Sequence, residues 1–317
     1  MPAGWRLLCL LVLSVAAQMA AHGFLRQKFM LPTLWAGLIA MFLMGCALAL
    51  AVRFLDRRPW RDLGFRAGRT WWRELGLGLA ISFALVASIF VAQWALGWIR
   101  ITGFISGVDE WRRVGGVALL MTGVGFYEEA VFRGFLLRNL AEGISGRLIQ
   151  PKTGLFIGWI LSSVLFALAH SSNPNVSLAG EINILWLGAV LALPFLITGS
   201  MAISIGLHIG WNFSVGGIFG LPVSGLPMDG SLMKVEQTGP EVWTGGSFGP
   251  EGGWLVTLAG FVLAAVLIRL CRRPNDRDSF FDHEIAVYQQ AEHPHADSRQ
   301  AGSSADTTDG RLPINDR

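Results

Sequence analysis

Long apolar runs separated by short polar stretches dominate the chain from residue 7 to residue 270. A helix that crosses a bilayer needs about 20 mainly apolar residues. About eight runs meet that length, at 7–22, 31–52, 76–98, 114–132, 155–172, 183–199, 201–219 and 254–270. The pattern therefore predicts an all-α fold, a polytopic membrane bundle of about eight transmembrane helices.

The composition agrees with a membrane protein. Of the 317 residues, 52% are apolar and only 15% are charged, whereas soluble domains carry about 25% charged residues. The net charge of +3 is small, and it comes mostly from arginines in short loops, so it indicates topology rather than nucleic-acid binding. The expected partners are therefore the lipid bilayer and a membrane-associated peptide or protein substrate, with no nucleic acid.

Arginines predict the orientation. They cluster in the loop 53–74, "RFLDRRPWRDLGFRAGRTWWRE", and again at the exit of the last span, as Arg269, Arg272 and Arg273. The positive-inside rule places both clusters in the cytoplasm. Six spans lie between them, an even number, so the two assignments agree. We expect a multi-pass protein of the cell (plasma) membrane with cytoplasmic N- and C-termini.

The first span, which follows Arg6, has two interpretations: a cleaved signal peptide or a retained helix. The sequence "AAHG" that follows it is a poor cleavage site, and another span comes soon after, which favours a retained helix.

The chain divides into four parts. Residues 1–113 hold the N-terminal transmembrane helices and the Arg-rich cytoplasmic loop, and residues 114–220 form the predicted catalytic core. Residues 221–273 comprise a Gly- and Pro-rich extracytoplasmic loop and the last transmembrane helix. Residues 274–317 are polar and rich in Ser, Asp, Gln and Gly, which predicts a disordered cytoplasmic tail.

Charges within the fourth span, "GFYEEAVFRG", are costly in lipid and mark a candidate functional site. Glu129 and Arg133 are four residues apart and share one helix face, where they can neutralise each other. Glu128 points about 100° away from Glu129 and remains the unpaired carboxylate, which suits a general base or acid. A purely structural ion network of the three charges is the alternative.

Two histidines lie in later spans. Phe166 and His170 are four residues apart on one face, and so are His208 and Asn212. A His and an Asn one turn apart can direct donors at a single oxygen, as an oxyanion site requires. Histidines and a glutamate can instead bind zinc.

These residues resemble the three signature motifs of the CPBP family, the CAAX proteases and bacteriocin-processing membrane proteins, also called the Abi family. The motifs are Glu128-Glu129-x-x-x-Arg133, Phe166-x-x-x-His170 and His208-x-x-x-Asn212. They occur in this order on separate spans, and "TGSMAISIGLHIGWNF" also resembles the last motif region. The similarity covers about 100 residues, from Gly123 to Phe213.

The resemblance implies a role for each residue. Glu128 matches the glutamate that activates the attacking water, and His170 matches the histidine that assists it. His208 and Asn212 match the oxyanion-hole groups, and Glu129 and Arg133 match the residues that hold the site together. Members of the family are described both as zinc enzymes and as metal-free glutamate proteases. The absence of H-E-x-x-H slightly favours the metal-free route; a zinc site would use Glu128, His170 and His208.

The predicted function is an intramembrane endopeptidase that acts on membrane-associated substrates, with CAAX-type C-terminal processing as one possible substrate class. One alternative is a non-enzymatic bacteriocin-immunity or membrane scaffold protein. A proton-coupled transporter would require a repeat between the two halves of the chain, and no repeat is evident.

Overall fold

The computed structural model describes residues 2–30, 33–146 and 148–272 of the 317-residue chain. The predicted tail, with His283, His293 and His295, lies outside the described residues, as does Arg273. The described chain is an all-α membrane bundle with one small sheet, which confirms the predicted fold class.

Seven helices in the described ranges are long and apolar enough to cross a membrane. A shorter helix, Ala202–Asn212, lies between the sixth and the seventh of them and is numbered α7. The spanning helices are α1 Ala3–Phe29, α2 Trp35–Asp56, α3 Arg69–Ala95, α4 Val108–Ile144, α5 Pro151–His170, α6 Leu178–Thr198 and α8 Trp254–Cys271. Helix α7 is extended by a π-helical segment, Phe213–Ile218. It corresponds to the predicted span 201–219 and is nearly all buried among the other helices.

Four π-helical segments lie in the part of the chain that the structure describes. The segments are Met19–Leu25 in α1, Ala51–Asp56 in α2, Ala130–Leu137 in α4 and Phe213–Ile218 after α7. The short α-helical pieces Arg26–Phe29 and Arg138–Ile144 complete α1 and α4, so α4 extends well beyond the predicted span 114–132.

A glycine sets the distance between α4 and α7. A Cβ added to Gly125 would lie 2.7 Å from Cγ1 and 2.9 Å from the backbone nitrogen of Ile209. Only a residue without a side chain fits there. The close approach brings the end of the α-helical part of α4 beside His208, the residue before Ile209.

The segment between α7 and α8 folds over one end of the bundle. Its strand β2 (Met233–Gln237) pairs antiparallel with β1 (Ile99–Phe104), which links α3 to α4. One helical turn at Glu241–Thr244 and two 3₁₀ turns, Gly246–Phe248 and Pro250–Gly252, lead into α8. Another 3₁₀ turn, Trp60–Leu63, lies in the Arg-rich loop. We call residues 220–253 the outer segment.

Candidate active site

The fold brings all three motifs to one place. Glu128 and Glu129 are the last α-helical residues of α4 before its π-helical turns. His170 is the final residue of α5, and His208 and Asn212 lie on α7, the latter next to another π-helical turn. Such turns are rare and occur frequently at functional sites.

Glu129 is the fully buried centre of a compensated network. Its Oε1 accepts a hydrogen bond of 2.8 Å from Arg133 Nη1, as the four-residue spacing predicts. The same oxygen lies 2.8 Å from His208 Nδ1. Both side chains of the ion pair are at most 1% exposed. One arginine therefore balances this carboxylate, and the network fixes His208 from its Nδ1 side.

Arg133 is held on its other side by α5 and α6. Its Nη2 donates to the backbone oxygen of Gly188 at 2.7 Å, and its guanidinium lies 4.4 Å from the centre of the Phe166 ring. A Cβ on Gly188 would lie 2.9 Å from Phe166 Cδ1, so the glycine leaves room for the ring. Phe166, placed by the resemblance in the second motif, thus packs on the arginine of the first.

Glu128 has a different environment. Its Oε2 lies 3.6 Å from His208 Nε2 and 4.0 Å from His170 Nε2. The atom is buried and has no hydrogen-bond partner among the described residues, which is also true of Glu129 Oε2. Unlike Glu129, however, Glu128 forms no ion pair with a described arginine or lysine. Its side chain is still 19% exposed. Glu128 is therefore the carboxylate that lacks a cationic partner, as the spacing predicts.

Hydrogen-bond partners assign the protons of both histidines. Since the Glu129 carboxylate paired with Arg133 can only accept, His208 Nδ1 is the donor in that contact. His170 Nδ1 lies 2.8 Å from the backbone oxygen of Phe166 and is likewise the donor. In their neutral forms both imidazoles therefore present a lone pair at Nε2, facing Glu128.

A cavity of about 920 Å³ connects these groups. Glu128, His170, His208 and Asn212 all line it. The rest of its wall is mainly apolar and comes from all eight helices and the outer segment. The contributions of α1, α2 and the outer segment include Leu7, Leu10, Met41, Met44, Leu226 and Met228. A ligand bound in this mainly apolar cavity would therefore meet one unpaired carboxylate, two imidazole nitrogens and one side-chain amide.

The described part of the chain shows no preformed cluster of metal ligands. No group of three or more His, Cys, Asp or Glu side chains in this part of the chain is arranged to hold a metal ion. The zinc set that the resemblance allows, Glu128, His170 and His208, is nevertheless close together, with Glu128 Oε2 within 4.0 Å of both Nε2 atoms.

One cavity residue, Glu251, was not among the predicted site residues. It is 2% exposed and lines the same cavity from the outer segment. Its Oε1 accepts a 2.7 Å hydrogen bond from Trp211 Nε1 on α7. Burial raises the pKa of the Glu251 carboxyl above its usual 4.5, and the hydrogen bond from Trp211 opposes that shift. In the sequence Glu251 stands in a Gly-rich loop with other acids and has no distinguishing spacing.

Comparison with known proteins agrees with the motifs. Residues 110–214 match the family model described as "Type II CAAX prenyl endopeptidase Rce1-like", which confirms the resemblance over this segment and indicates a protease at the level of the family. The "Uncharacterized protein YyaK" of Bacillus subtilis (strain 168) is 29% identical over 168 residues, which are 51% of this chain and 53% of the relative. The similarity thus spans about half the length of that curated relative. No solved structure matches the chain.

Proposed function

We propose that the protein is an intramembrane endopeptidase that hydrolyses peptide bonds of membrane-associated substrates. The observation that carries the proposal is the surplus carboxylate of Glu128, which lines the cavity and faces two imidazole nitrogens. An uncompensated carboxylate in this position is costly to hold. A general base requires such an unpaired carboxylate, whereas a binding or scaffold protein does not.

The first step places a water molecule. The 4.0 Å between Glu128 Oε2 and His170 Nε2 is too long for a direct hydrogen bond. A water that donates to both atoms at about 2.8 Å fits this gap. Such a water directs both hydrogens at the protein and leaves a lone pair on its oxygen for a peptide carbonyl.

In the second step the water oxygen bonds to the carbonyl carbon, and its proton passes to Glu128. The negative charge that develops on the carbonyl oxygen is stabilised by the amide of Asn212 and by His208. Because the Nδ1 proton of His208 is committed to Glu129, His208 can donate from Nε2 only when both ring nitrogens are protonated. Glu128 then transfers its proton to the amide nitrogen, the C–N bond breaks, and the amine leaves.

The substrate is a peptide with apolar character near the cleaved bond, because most of the cavity wall is apolar. The description of the matched family names CAAX prenyl endopeptidases, so a prenylated C-terminal peptide is one substrate to test. We propose that no metal takes part. From the arginine pattern alone, we infer a plasma-membrane protein with both termini in the cytoplasm.

Cleavage by the purified protein tests the proposal. Wild type, Glu128→Ala and His170→Ala are incubated in detergent with a peptide library that includes farnesylated and unmodified CAAX peptides, and products are identified by mass spectrometry. Glu142→Gln, outside the cavity, is the control. We expect wild type and the control to cleave, and both cavity variants to be folded and inactive.

Two results contradict the proposal. Normal cleavage by Glu128→Ala would show that the mechanism is wrong. A folded wild-type protein that cleaves no peptide in the library would favour the alternative of an immunity or scaffold protein.

A further inference from the structure

Glu251 connects the outer segment to two membrane helices. Its side chain accepts the hydrogen bond from Trp211 on α7, while its backbone oxygen accepts a 2.8 Å bond from Asn183 Nδ2 on α6. Asn183 also donates to the backbone oxygen of Gly253 at 3.1 Å and accepts from Thr257 on α8. The backbone at Glu251 is thus held by Asn183 independently of the carboxyl group, whose only contact with α7 described above is the hydrogen bond from Trp211.

The contact reaches the helical turn that carries the oxyanion candidates. Trp211 directly precedes Asn212 and lies three residues after His208. The α-helix ends at Asn212 and continues as π-helical turns. Here the helical hydrogen-bond pattern changes, so the position of these side chains depends on contacts with neighbouring elements. The indole of Trp211, which is 8% exposed, makes such a contact.

The chemistry of the contact is acceptance of a hydrogen bond rather than pairing of charges. No described Arg, Lys or His lies within ion-pair distance of Glu251, and His170 acts on it only at longer range. Its Oε2 is approached by the backbone nitrogen of Ser224 at 3.4 Å. A buried carboxyl without a cation is costly and needs hydrogen-bond donors. The indole is the closest donor to it among the described residues.

We propose that Glu251 is a positioning residue: its carboxyl oxygen holds the indole of Trp211 and, through it, the turn of α7 that carries His208 and Asn212. This inference rests on the proposed function of the same cavity. It assigns to the outer segment a part in catalysis although that segment lies outside the matched residues 110–214.

Kinetics of four variants tests the proposal. Glu251→Leu removes the acceptor, Glu251→Gln keeps an acceptor oxygen without the charge, and Trp211→Phe removes the donor. The double variant Trp211→Phe/Glu251→Leu measures their coupling. We expect Glu251→Leu and Trp211→Phe each to lower kcat about tenfold, the effect of one lost hydrogen bond, with KM nearly unchanged because the oxyanion forms only in the transition state. The double variant should be no slower than either single variant.

Glu251→Gln should retain the kcat of wild type, since its amide oxygen can accept from the indole. Two matched controls exist. Trp159→Phe removes an indole that donates to Ala189 O at 3.0 Å outside the cavity, and Glu241→Gln neutralises an exposed acid of the outer segment. Neither should change kcat. The proposal is wrong if folded Glu251→Leu has the kcat of wild type, or if Glu251→Gln is as slow as Glu251→Leu.

A second measurement does not depend on cleavage. The indole N–H correlations of protein labelled with ¹⁵N-tryptophan report hydrogen bonding, and the signal missing from Trp211→Phe identifies Trp211 among the 13 tryptophans. In Glu251→Leu that signal should move, and in Trp159→Phe it should stay. An unmoved signal overturns the positioning contact, whereas a wild-type protein without cleavage activity overturns the proposed function.

Discussion

Two groups of charges lie between the helices, and they are built differently. The loop cluster comprises Arg6, Asp56, Arg58, Asn139 and Glu142, where α1, α2 and α4 meet. The motif cluster comprises Glu128, Glu129, Arg133, His170 and His208. Both contain two carboxylates that are largely shielded from water.

In the loop cluster every carboxylate has a cation. Arg6 lies 3.2 Å from Asp56 and 3.5 Å from Glu142, Arg58 also pairs with Glu142, and Asn139 donates to Asp56 at 3.0 Å. In the motif cluster a single arginine forms an ion pair with Glu129, and the only ion-pair partners within 4.0 Å of Glu128 are the imidazoles of His170 and His208. The charges of the first cluster are thus balanced within it, whereas the missing cation in the second supports the proposed role of Glu128 as the general base.

The largest expected effect separates activity from stability. Glu128→Gln should lower kcat by about 10²- to 10⁴-fold, the usual contribution of a general base, and leave the midpoint of thermal unfolding in detergent unchanged or raised. Asp56→Asn in the loop cluster should do the opposite: a lower midpoint with normal turnover per folded molecule. If both variants lost only stability, the two clusters would not differ in function.

The second effect concerns the compensated carboxylate. Arg133→Met leaves Glu129 buried without its cation, which should destabilise the protein by about 3–5 kcal/mol. Adding Glu129→Gln to that variant should restore part of the loss because the uncompensated charge disappears. Thermal unfolding of the three proteins checks this order. Equal unfolding of Arg133→Met and wild type would show that the ion pair contributes nothing.

The third effect concerns packing beneath the motif cluster. Gly188→Ala places a methyl group 2.9 Å from Phe166 Cδ1 and should cost about 1–3 kcal/mol as an overpacked site, with lower activity because Arg133 and Phe166 shift. Gly115→Ala on α4 is the matched control, since its Cβ would meet nothing within 4 Å. Thermal unfolding should show destabilisation of the first variant only.

A fourth, smaller effect depends on pH. The pKa of Glu251 is raised above its usual 4.5 by burial. The folded protein therefore binds more protons than the unfolded chain between 4.5 and the raised pKa, and stability falls as pH rises through that window. Glu251→Gln removes this loss, so its unfolding midpoint should equal that of wild type below about pH 4.5, exceed it increasingly up to the raised pKa, and stay above it by a constant amount beyond. A difference that does not change with pH would contradict this origin.

The last prediction is that removal of metal ions has no effect on the rate of cleavage. Incubation with a chelator should leave the initial rate of cleavage unchanged, since we propose that Glu128 activates water without a metal. Metal analysis of the same sample accompanies the assay. Loss of activity on chelation with recovery on addition of zinc would instead support the metal set Glu128, His170 and His208.

The sequence by itself determined the helical bundle and the pairing of charges within the first motif. Apolar run length gives membrane spans because the bilayer has a fixed thickness. Helical geometry separates Glu128 from the pair Glu129 and Arg133, because adjacent residues diverge by about 100° and residues four apart align. These inferences need only local periodicity, and the pairing is present in the structure.

Only the tertiary structure decided which atoms meet between elements. The hydrogen bond from His208 to Glu129 and the contact of Trp211 with Glu251 join residues 79 and 40 positions apart, and no local pattern encodes such partners. The π-helical turns after Glu129 and Asn212 were likewise not predicted from the sequence. Glu251 belongs to the cavity because the outer segment folds back onto α6 and α7, where burial gives an ordinary loop acid its role.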